Sequence, residues 1–157
     1  MGTARLRTQR LLYFCAIGFG VGAFPIAPGT LGTLVAVPIY LLLRDLAPAA
    51  YLGAVAALFI AGIGICRAAE QHVGVPDYPA VVWDEIVGYL LTMFLAPPGW
   101  AWVLAGFVLF RLFDIWKPFP IRWIDRNIKG AFGTMLDDAA AAVYAFAVLQ
   151  ALAFLVL

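Results

Sequence analysis

Two long stretches without a charged residue constrain the fold of this chain more than any other feature. Residues 46–66 form an uncharged run of 21 residues and residues 139–157 a run of 19. A helix needs about 20 apolar residues to cross a bilayer, so each run is long enough to span. Only 12% of the 157 residues are charged, while 65% are hydrophobic. The sequence therefore predicts an all-α integral membrane bundle, formed by residues 1–157 as a single membrane-embedded domain.

Two further apolar runs raise the expected number of spans. Residues 86–110 are uncharged, but Pro-Pro-Gly at residues 97–99 interrupts them. Tandem proline cannot continue a helix, so this run predicts a hairpin of two helices. Residues 31–43 form a shorter run that Pro38 is expected to kink. We therefore expect four or five transmembrane helices.

The segment of residues 11–28 is apolar at its start but is then broken by glycine and proline. Because these residues interrupt a regular helix, we expect an interfacial or re-entrant segment whose backbone is held by protein or water. For the same reason it is not expected to be a cleavable signal. The interrupting residues are Gly18, Gly20, Gly22, Pro25 and Pro28.

The basic residues predict the topology. If the chain crosses the membrane at each apolar run, the N-terminal tail and the loops at 67–85 and 111–138 lie on one side. That side carries nine basic residues and the other side carries only Arg44. Basic residues accumulate on the cytoplasmic side, so the two loops are predicted to be cytoplasmic. The nine residues are Arg5, Arg7, Arg10, Arg67, Arg111, Lys117, Arg122, Arg126 and Lys129.

The acidic residues are concentrated at the edges of the apolar runs. Five of the nine carboxylates form three groups, Asp84-Glu85, Asp114 and Asp137-Asp138. A charge at the edge of hydrocarbon costs a few kcal/mol, which indicates a functional role. One alternative for the first pair is stabilisation of a helix N-terminus, where acidic residues are favourable.

Basic residues accompany these acids, since Arg111, Lys117, Arg122 and Arg126 lie in or beside the same loop. They are suited to neutralising a phosphate. They also suit contact with lipid headgroups, and the sequence leaves both roles open.

A helix start precedes the first predicted span. Residues 27–33 read Ala-Pro-Gly-Thr-Leu-Gly-Thr, in which proline and threonine are typical of a helix N-terminus. Free amides and the hydroxyls of Thr30 and Thr33 suit an anion such as phosphate. The alternative is a capped helix whose small residues allow tight packing.

The available side chains limit the chemistry of a phosphoryl site. A cysteine phosphatase needs arginine six positions after its cysteine, but Val21 and His72 follow Cys15 and Cys66 at that spacing. His72 is the single histidine. A phosphatase site that uses several histidines, or a zinc site rich in histidine, is therefore not expected. Carboxylates that hold Mg²⁺ remain, and that ion prefers oxygen ligands. The net charge of +1 makes nucleic acid an improbable partner.

Three segments of the chain carry motifs that together point to one family. The first is residues 18–38 with the Ala-Pro-Gly-Thr-Leu-Gly-Thr sequence, and the second is residues 82–88 with Trp-Asp-Glu-Ile-Val-Gly. The third, residues 110–138, contains Phe-Arg-Leu-Phe-Asp, Lys-Pro-Phe-Pro-Ile, Asp-Arg and Met-Leu-Asp-Asp in that order. In their order and spacing these motifs resemble the bacterial phosphatidylglycerophosphatase A family. The resemblance implies a Mg²⁺-dependent enzyme of the bacterial inner membrane. Its substrate would be phosphatidylglycerophosphate, from which it releases the terminal phosphate to leave phosphatidylglycerol.

Together, the residues and the resemblance give a set of candidate site residues, with the site facing the cytoplasm. The predicted catalytic residues are Asp84, Glu85, Asp114, Asp137 and Asp138. The predicted metal ligands are Glu85, Asp114, Asp137 and Asp138, and Asp84 is expected to bind the ion or to orient a ligand. The predicted contacts to substrate phosphate are Thr30, Thr33, Arg111, Lys117, Arg122 and Arg126.

Two other functions compete with this interpretation. A small transporter or lipid-binding subunit would use intramembrane acids for an ion path, and it predicts acids near the middle of helices along a pore. A CDP-alcohol phosphatidyltransferase would require an Asp-rich signature with fixed glycine and arginine spacing, which this sequence lacks.

Overall fold

The computed structural model describes the backbone of residues 2–156 and the side chains of residues 7–156. Over this range the chain is helical and forms no strand, which confirms the all-α class. The helices are α1 (Gly2–Ala16), α2 (Pro28–Leu43), α3 (Pro48–Val73), α4 (Trp83–Thr92), α5 (Trp100–Trp116), α6 (Ile121–Asn127) and α7 (Ala131–Val156), with a 3₁₀ segment (Gly18–Ala23) after α1.

The glycine-rich segment near the N-terminus is broken, as the sequence predicts. Helix α1 continues as far as Ala16, so the break begins later than residue 11. Within the 3₁₀ segment, Phe19 and Gly20 have φ values of 60° and 106°, which a regular helix does not tolerate. The chain therefore forms two separate helices, α1 and α2, instead of continuing as one spanning helix.

The short helix α4 lies at the centre of the bundle, where it packs against α2, α3 and α7. Most of its side chains are buried, among them Ile86, Tyr89 and Leu90. The buried Tyr89 hydroxyl donates a hydrogen bond of 3.0 Å to the carbonyl oxygen of Val103 on α5. A helix of only ten residues is stabilised here because most of its side chains are buried against longer helices.

The predicted hairpin within residues 86–110 is confirmed. Helix α4 ends at Thr92 and α5 begins at Trp100, so the proline-rich segment forms the turn between them. Small residues bring the two helices together, because a Cβ atom at Gly88 would collide with the ring of Phe110 and one at Gly106 with Met93.

Fewer helices than predicted are long and apolar enough to cross a membrane. Within residues 2–156, two helices, α3 and α7, are long and apolar enough to cross a membrane, each with 26 residues. Helix α2 has only 16 residues and α4 only 10, because a turn or an interrupting segment ends each of them early. By length and composition two helices can span, which is fewer than the four or five expected.

Large apolar side chains cover the outside of the bundle. Ile60 on α3 is 70% exposed, and Phe154 and Leu155 on α7 are 87% and 78% exposed. Exposed apolar surface of this extent is typical of a surface that contacts lipid or a partner. It supports association with a membrane.

The three acidic groups come together because of how the helices alternate in direction. Helices α4 and α7 begin at one end of the bundle and α5 ends there, so Asp84, Asp114 and Asp138 share that end. The opposite end carries the turn between α2 and α3, with Arg44 and Asp45. One end of the bundle is therefore strongly acidic inside.

Candidate active site

Three carboxylates converge where α4 and α7 meet. Asp84 and Glu85 lie in the first turn of α4, and Asp138 lies in the second turn of α7. One oxygen atom from each can be chosen so that all three atoms lie within 4.8 Å of one another. This spacing suits three ligands of a single metal ion.

Four carboxylate oxygens near this point are buried and have no hydrogen-bond partner in the described part of the protein. An unpaired buried charge is costly, so such a group ordinarily has a partner or coordinates a metal. The donor set therefore fits a cation, and because it contains only oxygen atoms it fits a hard one. The unpaired atoms are Asp84 Oδ1, Glu85 Oε2, Asp137 Oδ1 and Asp138 Oδ2.

The first acidic pair is strongly perturbed by its surroundings. Burial, and then the neighbouring Glu85, raise the pKa of Asp84 well above its usual range. Burial, and then the charge of Asp138, raise the pKa of Glu85 to about 8. Without a cation the acids repel each other and resist full ionisation, whereas a bound cation favours their charged forms.

Arg111 and Asp114 stand behind this cluster on the last turns of α5. They are three residues apart on the helix, so their side chains meet, and Arg111 Nη1 donates a hydrogen bond to Asp114 Oδ2. The same nitrogen lies 4.0 Å from Glu85 Oε1. Both side chains are largely buried, at 15% exposure for Arg111 and 12% for Asp114. Arg111 therefore positions two of the acids.

Lys117 directs a positive charge into the same region. It follows the end of α5 with φ 47° and ψ 63°, a left-handed conformation that ends the helix and turns the chain. Its ammonium group donates hydrogen bonds to Asp137 Oδ2 and, at 3.0 Å, to Asp125 Oδ1. Burial lowers the pKa of Lys117, but the two carboxylates outweigh it and hold the pKa above its usual value. Lys117 is thus a permanent cation beside the acids.

These groups surround a cavity of about 260 Å³. Seven carboxylates and two lysines line it, so the fully ionised lining carries a formal charge of −5. A phosphate monoester is itself an anion and would be repelled by this lining. A phosphate can therefore enter only with cations that offset the charge.

The N-terminus of α2 packs against the back of the acidic cluster. A Cβ atom at Gly29 would overlap Glu85 Oε1 and would lie 3.1 Å from both terminal nitrogens of Arg111, so any larger residue there requires Glu85 to move. The hydroxyl of Thr33 is buried and donates a hydrogen bond of 2.9 Å to the carbonyl oxygen of Gly29. Neither Thr30 nor Thr33 lines the cavity. Tight packing explains this segment, and a phosphate contact by either threonine stays a prediction.

The structure divides the predicted metal ligands into two groups. Glu85 and Asp138 belong to the converging triad, and Asp84 completes it as a ligand. Asp114 and Asp137 border the cavity but are paired with Arg111 and Lys117. Asp137 still has one oxygen atom without a hydrogen-bond partner, whereas Asp114 accepts a hydrogen bond from Arg111.

The predicted phosphate contacts are also divided. Lys117 lines the acidic cavity, while Arg122 and Arg126 lie on α6 and line a separate groove. His72 is exposed near Tyr13 and does not line the cavity. Cys15 and Cys66 are both free.

Two carboxylates of the cavity, Asp77 and Asp125, were not among the predicted site residues. Asp77 accepts a hydrogen bond of 3.2 Å from the Thr134 hydroxyl and lies 4.0 Å from the Lys129 ammonium group. Asp125 is held by Lys117. Asp77 lies in a loop and Asp125 in the short helix α6, and no apolar edge marks either residue. Their proximity to the lysines depends on turns that the sequence does not specify.

Comparisons with known proteins agree on one family. The family model of phosphatidylglycerophosphatase A matches residues 14–153. The chain is 41% identical over 147 residues to phosphatidylglycerophosphatase A of Escherichia coli strain K12, covering 93% of this chain and 86% of that one. It is 40% identical over 145 residues to the Haemophilus influenzae protein of the same name, covering 91% and 89%.

A third relative carries a different name. The chain is 43% identical over 137 residues to a Bacteroides thetaiotaomicron protein whose name provisionally gives it phosphatidylinositol-3-phosphatase activity, covering 82% of this chain and 85% of that one. No solved structure matches the chain significantly.

Proposed function

This chain belongs to the phosphatidylglycerophosphatase A family, and from that premise we propose that it is a Mg²⁺-dependent lipid phosphatase. Its substrate is phosphatidylglycerophosphate, and its products are phosphatidylglycerol and inorganic phosphate. The observation that carries the proposal is the convergence of three carboxylates, with unpaired buried oxygens, in a cavity that also holds Lys117.

Asp84, Glu85 and Asp138 are the residues that would hold the ion. The cavity lining offers carboxylates and neither histidine nor cysteine, which favours Mg²⁺ over zinc. When bound, Mg²⁺ supplies charge stabilisation of the phosphoryl oxygens and an acidified water. Arg111 holds Glu85 and Asp114 in place from behind, so the ligands are positioned before substrate arrives.

Lys117 and Asp137 have separate roles in the reaction. Lys117 offsets the negative charge of the transferred phosphoryl group. Asp137 Oδ2 is occupied by Lys117 and Oδ1 is free, so Oδ1 accepts the proton of the attacking water. The water oxygen forms the new bond to phosphorus as the bond to the glycerol oxygen breaks. The glycerol oxygen then takes up a proton from solvent.

The placement of the chain in the membrane is also part of the proposal. Helices α2 and α5 cross the bilayer beside α3 and α7, although their total lengths of 16 and 17 residues need local adjustment of the bilayer. The acidic cavity faces the cytoplasm of the bacterial inner membrane, because nine of ten basic residues lie on that side of the predicted topology.

The topology can be tested with a cysteine introduced at Asn127, an exposed residue at the end of α6. In intact cells a membrane-impermeant thiol reagent should leave it unmodified, and disruption of the cells should make it reactive. Ready modification in intact cells would invert the topology.

The activity is tested by phosphate release from phosphatidylglycerophosphate in detergent micelles, with Mg²⁺ and with excess EDTA. We expect release only with Mg²⁺. Phosphatidylinositol 3-phosphate should be assayed in parallel, since one relative is named for it. Faster release from that lipid would reassign the substrate, and undiminished release in EDTA would reject the metal.

An ion-path function receives less support from the positions of the acids. In the spans α3 and α7, the carboxylates of the described residues lie within the last turn of α3 and the second turn of α7. An ion path requires polar groups along the middle of the helices. The acids here are confined to one end of the bundle and favour a site that opens at the membrane surface.

A further inference from the structure

A second cavity adjoins the acidic one on the other side of Lys117. It is a groove of about 460 Å³ formed by α6 and the turn that leads into it. Lys117 lines both cavities, so the two meet at its side chain. Among the residues that line the groove are Trp116, Lys117, Phe119, Arg122, Trp123 and Arg126.

The two cavities have opposite charge. The groove is lined by three basic side chains and by no carboxylate, whereas seven carboxylates line the acidic cavity. Arg122 Nη2 donates a hydrogen bond of 3.2 Å to the carbonyl oxygen of Trp116, which fixes the guanidinium group over the groove. Arg126 is exposed and forms no ion pair with the described carboxylates. The groove therefore suits an anion that enters without a metal ion.

The aromatic residues of the groove place it at the level of lipid headgroups. Trp116, Phe119 and Trp123 are 60%, 79% and 53% exposed. Tryptophan is enriched where a protein meets the boundary between lipid and water, and exposed apolar rings are unfavourable in bulk water. A lipid headgroup can thus reach the groove from the membrane surface while its acyl chains stay in the bilayer.

We propose that Arg122 and Arg126 bind the phosphodiester of the substrate while its phosphomonoester lies in the acidic cavity. This inference rests on the proposed function, because phosphatidylglycerophosphate carries both groups on one glycerol. The diester cannot share the acidic cavity, since that lining is strongly negative and its cation serves the monoester. Two cavities of opposite charge that meet at Lys117 match two phosphates joined by one short linker. The arginines thereby select lipids with a second phosphate.

The test measures inhibition of phosphatidylglycerophosphate hydrolysis in neutral detergent micelles by two soluble compounds. The first is the deacylated substrate headgroup, which carries both phosphates and no acyl chain. The second is glycerol 3-phosphate, which carries only the monoester. In the unmodified protein the headgroup should inhibit at a concentration about tenfold lower or more, because a charged contact to the diester adds to its binding.

The variant with Arg122→Gln and Arg126→Gln should lose this advantage, so that both compounds inhibit at similar concentrations. Its KM for the lipid should rise about tenfold while kcat changes little, because these contacts form in the ground state and the transition state alike. The control variant carries Arg10→Gln and Arg67→Gln, which remove the same charge from exposed positions on the same predicted side of the membrane. It should retain the full difference between the compounds.

Several results would overturn the inference. One is equal inhibition by both compounds in the unmodified protein, and another is an advantage of the headgroup that persists in the double variant. If the double variant loses activity only on vesicles rich in anionic lipid, with inhibition unchanged, the arginines bind the bulk membrane surface instead. Absence of phosphate release by the unmodified protein would reject the proposed function itself, which separates the two failures.

Discussion

The two ends of the helical bundle carry the same kind of ion pair in opposite surroundings. At one end Arg44 Nε lies 3.8 Å from Asp45 Oδ1, with side-chain exposures of 44% and 86%. At the other end Arg111 binds Asp114, with exposures of 15% and 12%. The first pair lies in a turn in contact with solvent. The second is packed between helices together with further acids.

The difference indicates that the acidic end of the bundle is not optimised for stability. An exposed ion pair contributes about 0–1 kcal/mol and costs little to keep. Buried charges cost several kcal/mol in desolvation, and hydrophobic residues of similar size often serve a fold as well or better. A fold that gathers seven carboxylates around one cavity therefore gives up stability at that end. A functional requirement explains why these buried charges are present.

Removal of the metal should have the largest effect. Excess EDTA should reduce phosphate release about a thousandfold, because several kcal/mol of charge stabilisation is lost and each 1.36 kcal/mol is tenfold in rate. Added Mg²⁺ should restore the rate. It should also raise the unfolding temperature in detergent, since an ion that binds only the folded state stabilises it. If Mg²⁺ changes neither quantity, the acidic end holds no ion.

Asp138→Asn should nearly abolish activity without harming the fold. Asparagine nearly matches the shape of aspartate, and loss of a buried charge lowers the desolvation cost, so the unfolding temperature should hold or rise. The metal site loses one of three converging ligands. We expect a loss of about 10²–10³-fold at limiting Mg²⁺, together with a higher Mg²⁺ concentration for half activation. An unchanged Mg²⁺ requirement would remove Asp138 from the metal site.

Asp137→Asn should lower the rate by a different route. This residue is paired with Lys117 and lies outside the converging triad, so its loss should reduce kcat about 10²-fold by removing the proton acceptor. The Mg²⁺ concentration for half activation should stay close to that of the unmodified protein. If that concentration rises as much as in Asp138→Asn, Asp137 binds the ion and does not act as the base.

The location of the acids could be predicted from the sequence because the edges of apolar runs determine it. Asp84, Asp114 and Asp138 each lie where a long apolar run starts or stops, and helices of alternating direction must bring such edges to the same end. The all-α class and the hairpin at residues 97–99 follow from the same pattern. These features depend on the lengths of the apolar runs and on the prolines that interrupt them.

The roles of individual residues could not be predicted in this way. Arg111 and Arg122 look alike in the sequence, yet Arg111 lies behind the acids and Arg122 lines a separate groove. Their separation depends on the left-handed turn at Lys117 and on the direction of α6, neither of which has a clear sequence signal. Fewer helices than expected are long enough to span by themselves, because α2, α4 and α5 have only 16, 10 and 17 residues.

Gly29→Ala tests how closely the acidic end is packed. The new methyl group would overlap Glu85 Oε1, and Glu85 would have to move within a crowded, buried cluster. Displacement of a catalytic group by about 1 Å can cost up to 10²-fold in rate, and we expect a loss of about 10–100-fold. The matched control is Gly53→Ala on α3, where a methyl group meets nothing within 4 Å. It should keep full activity and gain about 0.5–1 kcal/mol in stability. Equal activity of the two variants would show that the position of Glu85 is not critical.

Asp45→Asn should have the smallest effect, and it completes the comparison between the two ends. The residue is 86% exposed in the turn between α2 and α3, and its one ion pair joins it to the adjacent Arg44. Water already solvates the carboxylate, so removal of its charge changes the free energy of unfolding little. We expect activity within about twofold of the unmodified protein and an unfolding temperature within about 2 °C. Both should be measured beside Asp138→Asn, which makes the same chemical change at the buried end. If Asp45→Asn lost activity to the same degree as Asp138→Asn, loss of any carboxylate would impair the protein. The buried acids would then not be specifically required for the reaction.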